Sequence, residues 1–441
     1  MRRILWFRRD LRVEDNPLLS LEGEVFPIFI FDINILNKLE KNDKRVSMIF
    51  HFVSELQKKL QILGLDLKIF YGSPLEVFES LNLNDFDEVV ASGDYDVYAT
   101  KRDREISRLI HFRYLNDTYF FKPKEVLKSD GSPYLVFTAF YNKALPLLKE
   151  KEFKPHTKAK QTLYKYEYEN AVTLEFMGFE LQEFPSFSDL KERVKKFKTQ
   201  LRTYKENRDF LNIEATSNLS VALRFGLLSV RELYREVNGL EGSEAFVRQL
   251  IFRDFYAYLL FHFPHLQIQN YKGKFNGKEN AEKFERFCSG TTGVPIIDAG
   301  VRELLQTGNM HNRVRMVVAS FFTKDLLLPW QWGEKFFAQH LLDYDAASNI
   351  LSWQWSAGTG IDPQPYFRVF NPYLQSKKFD KNAEYIKKHL SFLKDIEAKN
   401  LHNEEYLLSA NIDNYPKPML EHKIVAKIAV ESFKNGAYTH V

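Results

Sequence analysis

The residues whose types and spacing could do chemistry lie mostly in the second half of this 441-residue chain. Gln249, Phe252, Arg253 and Tyr256 would share one face of a helix, because residues three and four apart align there. An amide, two rings and a cation on one face could grip a base and a phosphate; an amphipathic helix with an ordinary core stripe fits the same pattern. Thr216, Ser217, Asn218, Leu219 and Ser220 stand where a helical pattern begins. Free N–H groups at a helix start, with hydroxyls beside them, bind phosphate. A simple Ser or Thr N-cap uses the same residue types. Asn312 and Met316 are four apart and face the same way, and Met316 equally suits core filling. Asp343 and Asp345 are separated by one residue; metal binding is possible in principle, and none is expected. Trp353 and Trp355, two apart, point in clearly different directions if helical, and core packing accounts for both as readily as electron transfer does.

Composition narrows the class. Hydrophobic residues make up 44% and charged residues 27%, as in a soluble globular protein. The length suffices for two or three domains and a large core. Aromatic residues reach 15%, with 39 Phe and 22 Tyr, which suits stacking or electron transfer and equally a Phe-heavy core. A net charge of +4 and a pI of about 8.7 permit binding to a polyanion without demanding it. The single cysteine, Cys288, excludes a disulfide framework within the chain and a cysteine-based metal site, and fits a reducing cytoplasm. The opening MRRILWFRRD is interrupted by charge at once, unlike a signal peptide. The apolar stretch from Phe255 to Phe263 is too short to span a bilayer and ends at Pro264, so no membrane partner is expected.

Elements that could position these residues follow from periodicity. Ile4–Phe7, Val25–Phe31, Leu67–Tyr71, Val89–Ala91 and Tyr119–Phe121 read as buried strands, with a clear helix at Arg45–Leu63 between them. This alternation predicts a doubly wound parallel sheet over residues 1–125, with helices on both faces. No G-x-G-x-x-G follows the first strand, so a dinucleotide at the usual place in such a sheet is not supported. Residues 126–200 read as a long connecting segment. From 201 to 441 helical patterns take over, such as Ala245–Leu260, Gly300–Leu305 and Val314–Leu328, predicting an all-helical domain.

Motifs in five stretches, ordered along the chain, then carry a resemblance. TTGVPIIDAGVRELLQTGNMHNRVRMVVASFF (291–322) and LLDYDAASNILSWQWSAGTGIDPQPYFRVFNP (341–372) resemble the flavin-domain signatures of the photolyase/cryptochrome family. WFRRDLRVEDNPLL from Trp6 resembles the family's opening strand and helix, TSNLSVALRFGLLS (216–229) its FAD phosphate loop, and YPKPMLEHK (415–423) its C-terminal signature. Within the family the chain most resembles class I cyclobutane pyrimidine dimer photolyases.

The resemblance implies FAD held by Tyr204, Thr216, Ser217, Asn218, Leu219, Ser220, Arg253, Arg315, Asp343, Tyr344, Asp345 and Asn349. It pairs Arg315 with Asp343 beside the flavin, which a purely structural ion pair would also explain. It places Asn349 at flavin N5, where plant cryptochromes tend to have Asp and animal ones Cys; a neutral amide there suits a reduced flavin bearing an N5 hydrogen. Trp353 would start an electron chain continuing to Trp330; the usual third tryptophan is replaced by the stretch Lys274-Phe275-Asn276-Gly277, leaving an exit such as Tyr271. UV-damaged DNA is the implied partner, contacted by Arg208, Gln249, Phe252, Arg253, Tyr256, Asn312, Arg313, Met316, Trp355 and Gln375; Lys377 and Lys378 could extend that face. Trp355 and Phe252 would flank a flipped-out dimer, with Phe252 standing where the family normally has Trp.

The implied activity is blue-light-driven repair of cyclobutane pyrimidine dimers by a monomeric enzyme. A cryptochrome-like photoreceptor, a six-four photoproduct photolyase and a light-independent nucleotide-binding protein are the alternatives. Asn312, in place of the histidine pair of six-four enzymes, disfavours the second. Folate-binding members carry an Asn–Glu pair where this chain has Tyr98 and Ala99, which argues against a folate antenna and leaves a deazaflavin, a second flavin or none.

Overall fold

The computed structural model describes residues 1–273, 277–365 and 367–435. The chain forms two compact units, one from Met1–Leu201 and Ser217–Pro264, the other from Arg202–Thr216 and the chain from His265 onward.

The first unit is built on a parallel sheet. Its strands are β1 (Arg2–Phe7), β2 (Gly23–Asp32), β3 (Lys68–Gly72), β4 (Glu88–Ser92) and β5 (Phe112–Leu115), in the order β3-β2-β1-β4-β5. A short β6 (Gln161–Leu163) also pairs with β2, in parallel. Ile4, Leu5, Trp6 and Phe7 of the central strand are all buried, as expected where both faces are covered. The expected helix is present as Lys44–Ile62, capped by Asp43, which accepts from the Arg45 N–H. The segment from 126 to 200 carries its own helix, Phe137–Glu150, besides β6.

One expected strand is absent. Tyr119–Phe121 is not extended sheet, and the fifth strand is Phe112–Leu115 instead. Tyr119, Phe120 and Phe121 are apolar and buried like strand residues. Yet the Phe120 and Phe121 N–H groups donate to the Asp254 carboxylate, at 2.7 and 3.1 Å, rather than to a neighbouring strand. Asp254 rides on the Ser243–His262 helix, which belongs to the same unit.

The order reverses between β1 and β4, the place where such sheets usually bind ligands. Here ion pairs of the chain itself occupy the loops. Arg8 holds Asp103 with Nη1 at 2.7 and 2.8 Å, Arg9 meets Asp94 at 2.8 Å, and the Ser92 hydroxyl donates to Asp10 at 2.6 Å. Deeper in, Asp117 accepts from Arg12 at 2.7 and 2.9 Å and from Arg231 at 2.5 Å.

The second unit is helical. Among its described residues the only β pairing is an isolated bridge between Ile412 and Tyr415. Trp330, Trp353, Phe287, Phe321 and Phe322 are the large side chains at its centre. Two of the sequence motifs meet there: Asp298 accepts from Thr292, Gly293 and the Tyr415 hydroxyl, at 2.7 to 2.9 Å. The expected helix Val314–Leu328 is shorter. It runs Asn312–Ser320 and continues as one π turn, Phe321–Asp325, after which Leu327 takes a positive φ of 57°.

Two stability predictions follow from the buried carboxylates. Burial alone would raise Asp117, but Arg12 and Arg231 outweigh it and hold the carboxyl at about 2. Its contribution to stability is therefore full above its ordinary value of 3.8 and is lost as pH falls through about 2. Asp117→Asn should cost about 3–5 kcal/mol at neutral pH, read by denaturant unfolding, because two guanidinium groups lose their counter-charge. Asp254 is the opposite case. Burial pushes it up to about 7, so its stabilising protonated form is fully favoured below 3.8 and the benefit declines as pH rises to about 7. Asp254→Asn keeps an acceptor for the two N–H groups, and the variant should gain on the wild type in unfolding midpoint between those pH values.

Candidate functional site

In the first unit, the Ser243–His262 helix is buried on most of its surface by residues such as Phe246, Leu250, Ile251 and Phe255. Arg248, Gln249, Phe252, Arg253 and Tyr256 form a half-exposed stripe along it. The structure thus separates these residues from the core stripe. The Phe252 ring lies 4.2 Å from Phe137 and 4.7 Å, edge to face, from Tyr256. Arg253 turns to the chain: it donates to the Thr118 carbonyl at 2.6 Å and the Leu223 carbonyl at 3.2 Å, and lies 4.6 Å over the Tyr119 ring.

The loop before Ser220–Phe225 bends at Asn218, with φ 51°. Leu219 holds the cap position of this helix and has no side-chain acceptor, so a Ser or Thr N-cap is not what these residues form. Asn218 and Ser220 are exposed and Thr216 and Ser217 half-exposed. At the start of the Val97–Ile106 helix, the Tyr98 hydroxyl donates to Asp32 and the Ala99 N–H to Asp96.

In the second unit, two facing helices fix a donor and an acceptor. Asn349 and Trp353 are four apart on Ala346–Ala357; Gly333 and Glu334 are adjacent on Trp330–His340. Asn349 is buried and its amide nitrogen donates to the Glu334 carbonyl and to Glu334 Oε1, both at 3.0 Å. Both amide hydrogens are thereby used, and the amide oxygen is left as an acceptor. Burial raises the Glu334 carboxyl, and the Tyr344 hydroxyl lies 3.4 Å from it. Trp353 is buried against Phe337 and Phe322, with centroids 4.9 and 5.4 Å away, and its indole N–H has no partner. A Cβ on Gly333 would lie 2.2 Å from the Trp353 ring, so this glycine sets how closely the helices approach.

The remaining residues take varied places. Arg315 grips Asp343 through both ends, at 3.0 and 3.2 Å, and also reaches the Met310 carbonyl at 2.7 Å. Asp345 caps the Ala346–Ala357 helix by accepting from the Ser348 N–H. Asn312 is exposed, with its amide nitrogen 3.8 Å from the Met316 sulfur. Trp330 is buried and donates to Asn270 at 2.8 Å, while Trp355 is half-exposed. Tyr271 is half-exposed; Lys274, Phe275 and Asn276, where the third tryptophan is replaced, lie outside the described residues. Tyr204 is buried under Arg208, 5.6 Å from its ring. Arg313 pairs with Asp209 at 2.5 Å and shares an open cavity of about 360 Å³ with Gln375, Lys378 and Phe379. Lys377 is exposed. Among the described residues no cluster of His, Cys, Asp and Glu is arranged to hold a metal ion, and no helix is long and apolar enough to cross a membrane.

Residues 3–160 match the family described as DNA photolyase, and residues 246–435 that described as the FAD binding domain of DNA photolyase. A deoxyribodipyrimidine photo-lyase of Alkalihalophilus pseudofirmus is 32% identical, over 98% of this chain and 97% of that protein. The chain belongs to the DNA photolyase family. Two solved photolyases share its fold. The class III photolyase of Agrobacterium tumefaciens has a TM-score of 0.85 at 29% identity, with 99% of this chain and 97% of that one covered. The archaeal photolyase of Sulfolobus tokodaii, solved with two FAD molecules, has 0.85 at 31% identity, covering 99% and 100%.

FAD is the cofactor of this photolyase fold, and the second unit offers groups that fit it: the unclaimed Asn349 oxygen and the unpartnered Trp353 N–H. Sequence reasoning missed Glu334, Gly333 and Arg248. A lone acid, glycine or arginine on a helix reads as solvated surface or as chance, and only the facing helix gives each a meaning. Glu334→Ala should remove the side-chain bond to the Asn349 amide and leave only the backbone carbonyl of residue 334 to hold it. The expected outcome is faster re-oxidation of the reduced flavin in air, followed by absorbance, with a stability loss of about 1–3 kcal/mol from the unsatisfied amide.

Proposed function

We propose that this photolyase-family protein repairs cyclobutane pyrimidine dimers in DNA under blue light, as a monomer in the reducing cytoplasm. The observation that carries the reading is the Asn349 amide, held by Glu334 through its nitrogen with its oxygen left as an acceptor. An acceptor there suits a flavin carrying an N5 hydrogen, the reduced form that repair needs. When bound and reduced, FAD supplies the light absorption and the electron that opens the cyclobutane ring, and takes that electron back.

The other residues divide by role. Thr216 and Ser217 to Ser220 would hold the FAD phosphates and Tyr204 would line the same pocket. The Arg315–Asp343 pair would neutralise charge beside the flavin ring, with Tyr344 and Asp345 flanking it. Trp353 and Trp330 would pass electrons inward to restore the reduced flavin. Photolyases are among the enzymes that flip a base out of the duplex, and flipping costs least at a damaged step that stacks poorly. Gln249, Phe252, Tyr256, Asn312, Met316 and Trp355 are assigned to the dimer. Arg208, Arg313 and Gln375 are assigned to the DNA strand. The Phe252 ring is fixed by Phe137 before any base arrives, so little ordering cost remains at binding. The second FAD of the Sulfolobus photolyase makes a flavin the leading choice for any second chromophore, and the engaged Tyr98 hydroxyl speaks against folate at its position.

A photoreceptor that keeps FAD is the second reading, favoured by Phe252 where the family normally has Trp. Purified protein with chemically reduced flavin, DNA carrying one thymine dimer, and blue light separate the two. Light-dependent return of intact thymines is expected; bound flavin without repair would replace the enzyme with the sensor. A parallel assay on the six-four lesion should show no turnover. Phe252→Ala should weaken dark binding of dimer-containing DNA by about 1–3 kcal/mol, the worth of one stacked base, and leave undamaged DNA unaffected.

A further inference from the structure

Arg248 is placed unlike six other arginines of the first unit. Arg3, Arg8, Arg12, Arg45, Arg231 and Arg235 each meet a carboxylate. Arg248 has no ion pair or hydrogen bond among the described residues, yet it is not loose. Its guanidinium lies 4.4 Å from the Tyr141 ring centroid and 4.7 Å from that of Phe137, both on the Phe137–Glu150 helix. Two aromatic faces thus fix a half-buried cation and leave its N–H donors uncommitted. Phe137 is the ring that also packs on Phe252, 4.2 Å away. Tyr141, Arg248, Phe252 and Tyr256 are therefore joined along the half-exposed stripe, with Phe137 buried beneath them.

We propose that Arg248 binds a backbone phosphate of the DNA. The inference rests on the repair reading for the identity of the polyanion, and on this row of side chains for the position. A planar guanidinium already held in place loses little freedom on binding and can offer two parallel N–H groups to phosphate oxygens. A phosphate contact carries no sequence or lesion information. Arg248 would therefore add affinity for damaged and undamaged duplex alike, while Phe252 beside it adds affinity for the lesion.

The test is dark binding of the wild-type protein, Arg248→Gln and Arg248→Lys to duplexes with and without one thymine dimer, over a range of salt concentrations. Removing one phosphate contact makes the slope of log affinity against log salt shallower by about 0.9. Arg248→Gln should show that change and bind both duplexes about fivefold more weakly near 0.1 M salt, with an unfolding curve unchanged from wild type. Arg248→Lys should keep the wild-type slope. A wild-type slope in Arg248→Gln, whatever its affinity, overturns the proposal. Equal wild-type binding to both duplexes would sink the repair reading and leave the phosphate contact standing; no DNA binding at all would sink both.

Discussion

Asp117 accepts hydrogen bonds from Arg12 and Arg231, side chains that lie 105 and 114 residues away in sequence. All three are buried. None of these charges would be tolerable there alone, so the loop after β1, the loop after β5 and the Val230–Val237 helix must be in place together. That helix leads directly into Ser243–His262, which carries the half-exposed stripe of Gln249, Phe252 and Tyr256. A second buried acid, Asp254, then ties this helix to Phe120 and Phe121. The proposed dimer-binding face of the first unit thus depends on two buried carboxylates that are not part of it.

Helix-borne chemistry was the most legible part of the sequence. Gln249 with Phe252 and Tyr256, and Asn312 with Met316, were grouped by spacing alone, and the structure puts each group on one helix face. The four buried strands were equally plain as apolar runs. Tyr119–Phe121 misled because burial and strand pairing leave the same apolar trace; what differs is the destination of the backbone N–H groups, here an aspartate more than 130 residues on. Val314–Leu328 misled because Phe321 and Phe322 extend the apolar pattern and Leu326 to Leu328 resume it, while the hydrogen bonding already changes at the π turn Phe321–Asp325.

Glu334 shows what spacing cannot reach. Its importance lies in the two amide hydrogens of Asn349, fifteen residues away on another helix. The neighbouring Gly333 works by lacking a side chain, which lets the Trp353 ring lie against its backbone. Two adjacent residues on one helix therefore set the orientation of one residue opposite and the depth of another. Bulk added at Gly333 would displace Trp353, and with it Asn349, which sits one helical turn before it.

The two units are interleaved along the chain. The first needs residues 217–264 as well as 1–201, and the second takes 202–216 before resuming at 265. During synthesis the first unit can close once residue 264 has left the ribosome, because nothing further along the chain belongs to it. The segment 202–216, with Tyr204 and Arg208, has by then emerged and must wait for most of the remaining chain before its own partners exist. Ribosome-bound chains halted once residue 264 has emerged would accordingly present a finished sheet unit with this short segment still waiting for its second-unit partners.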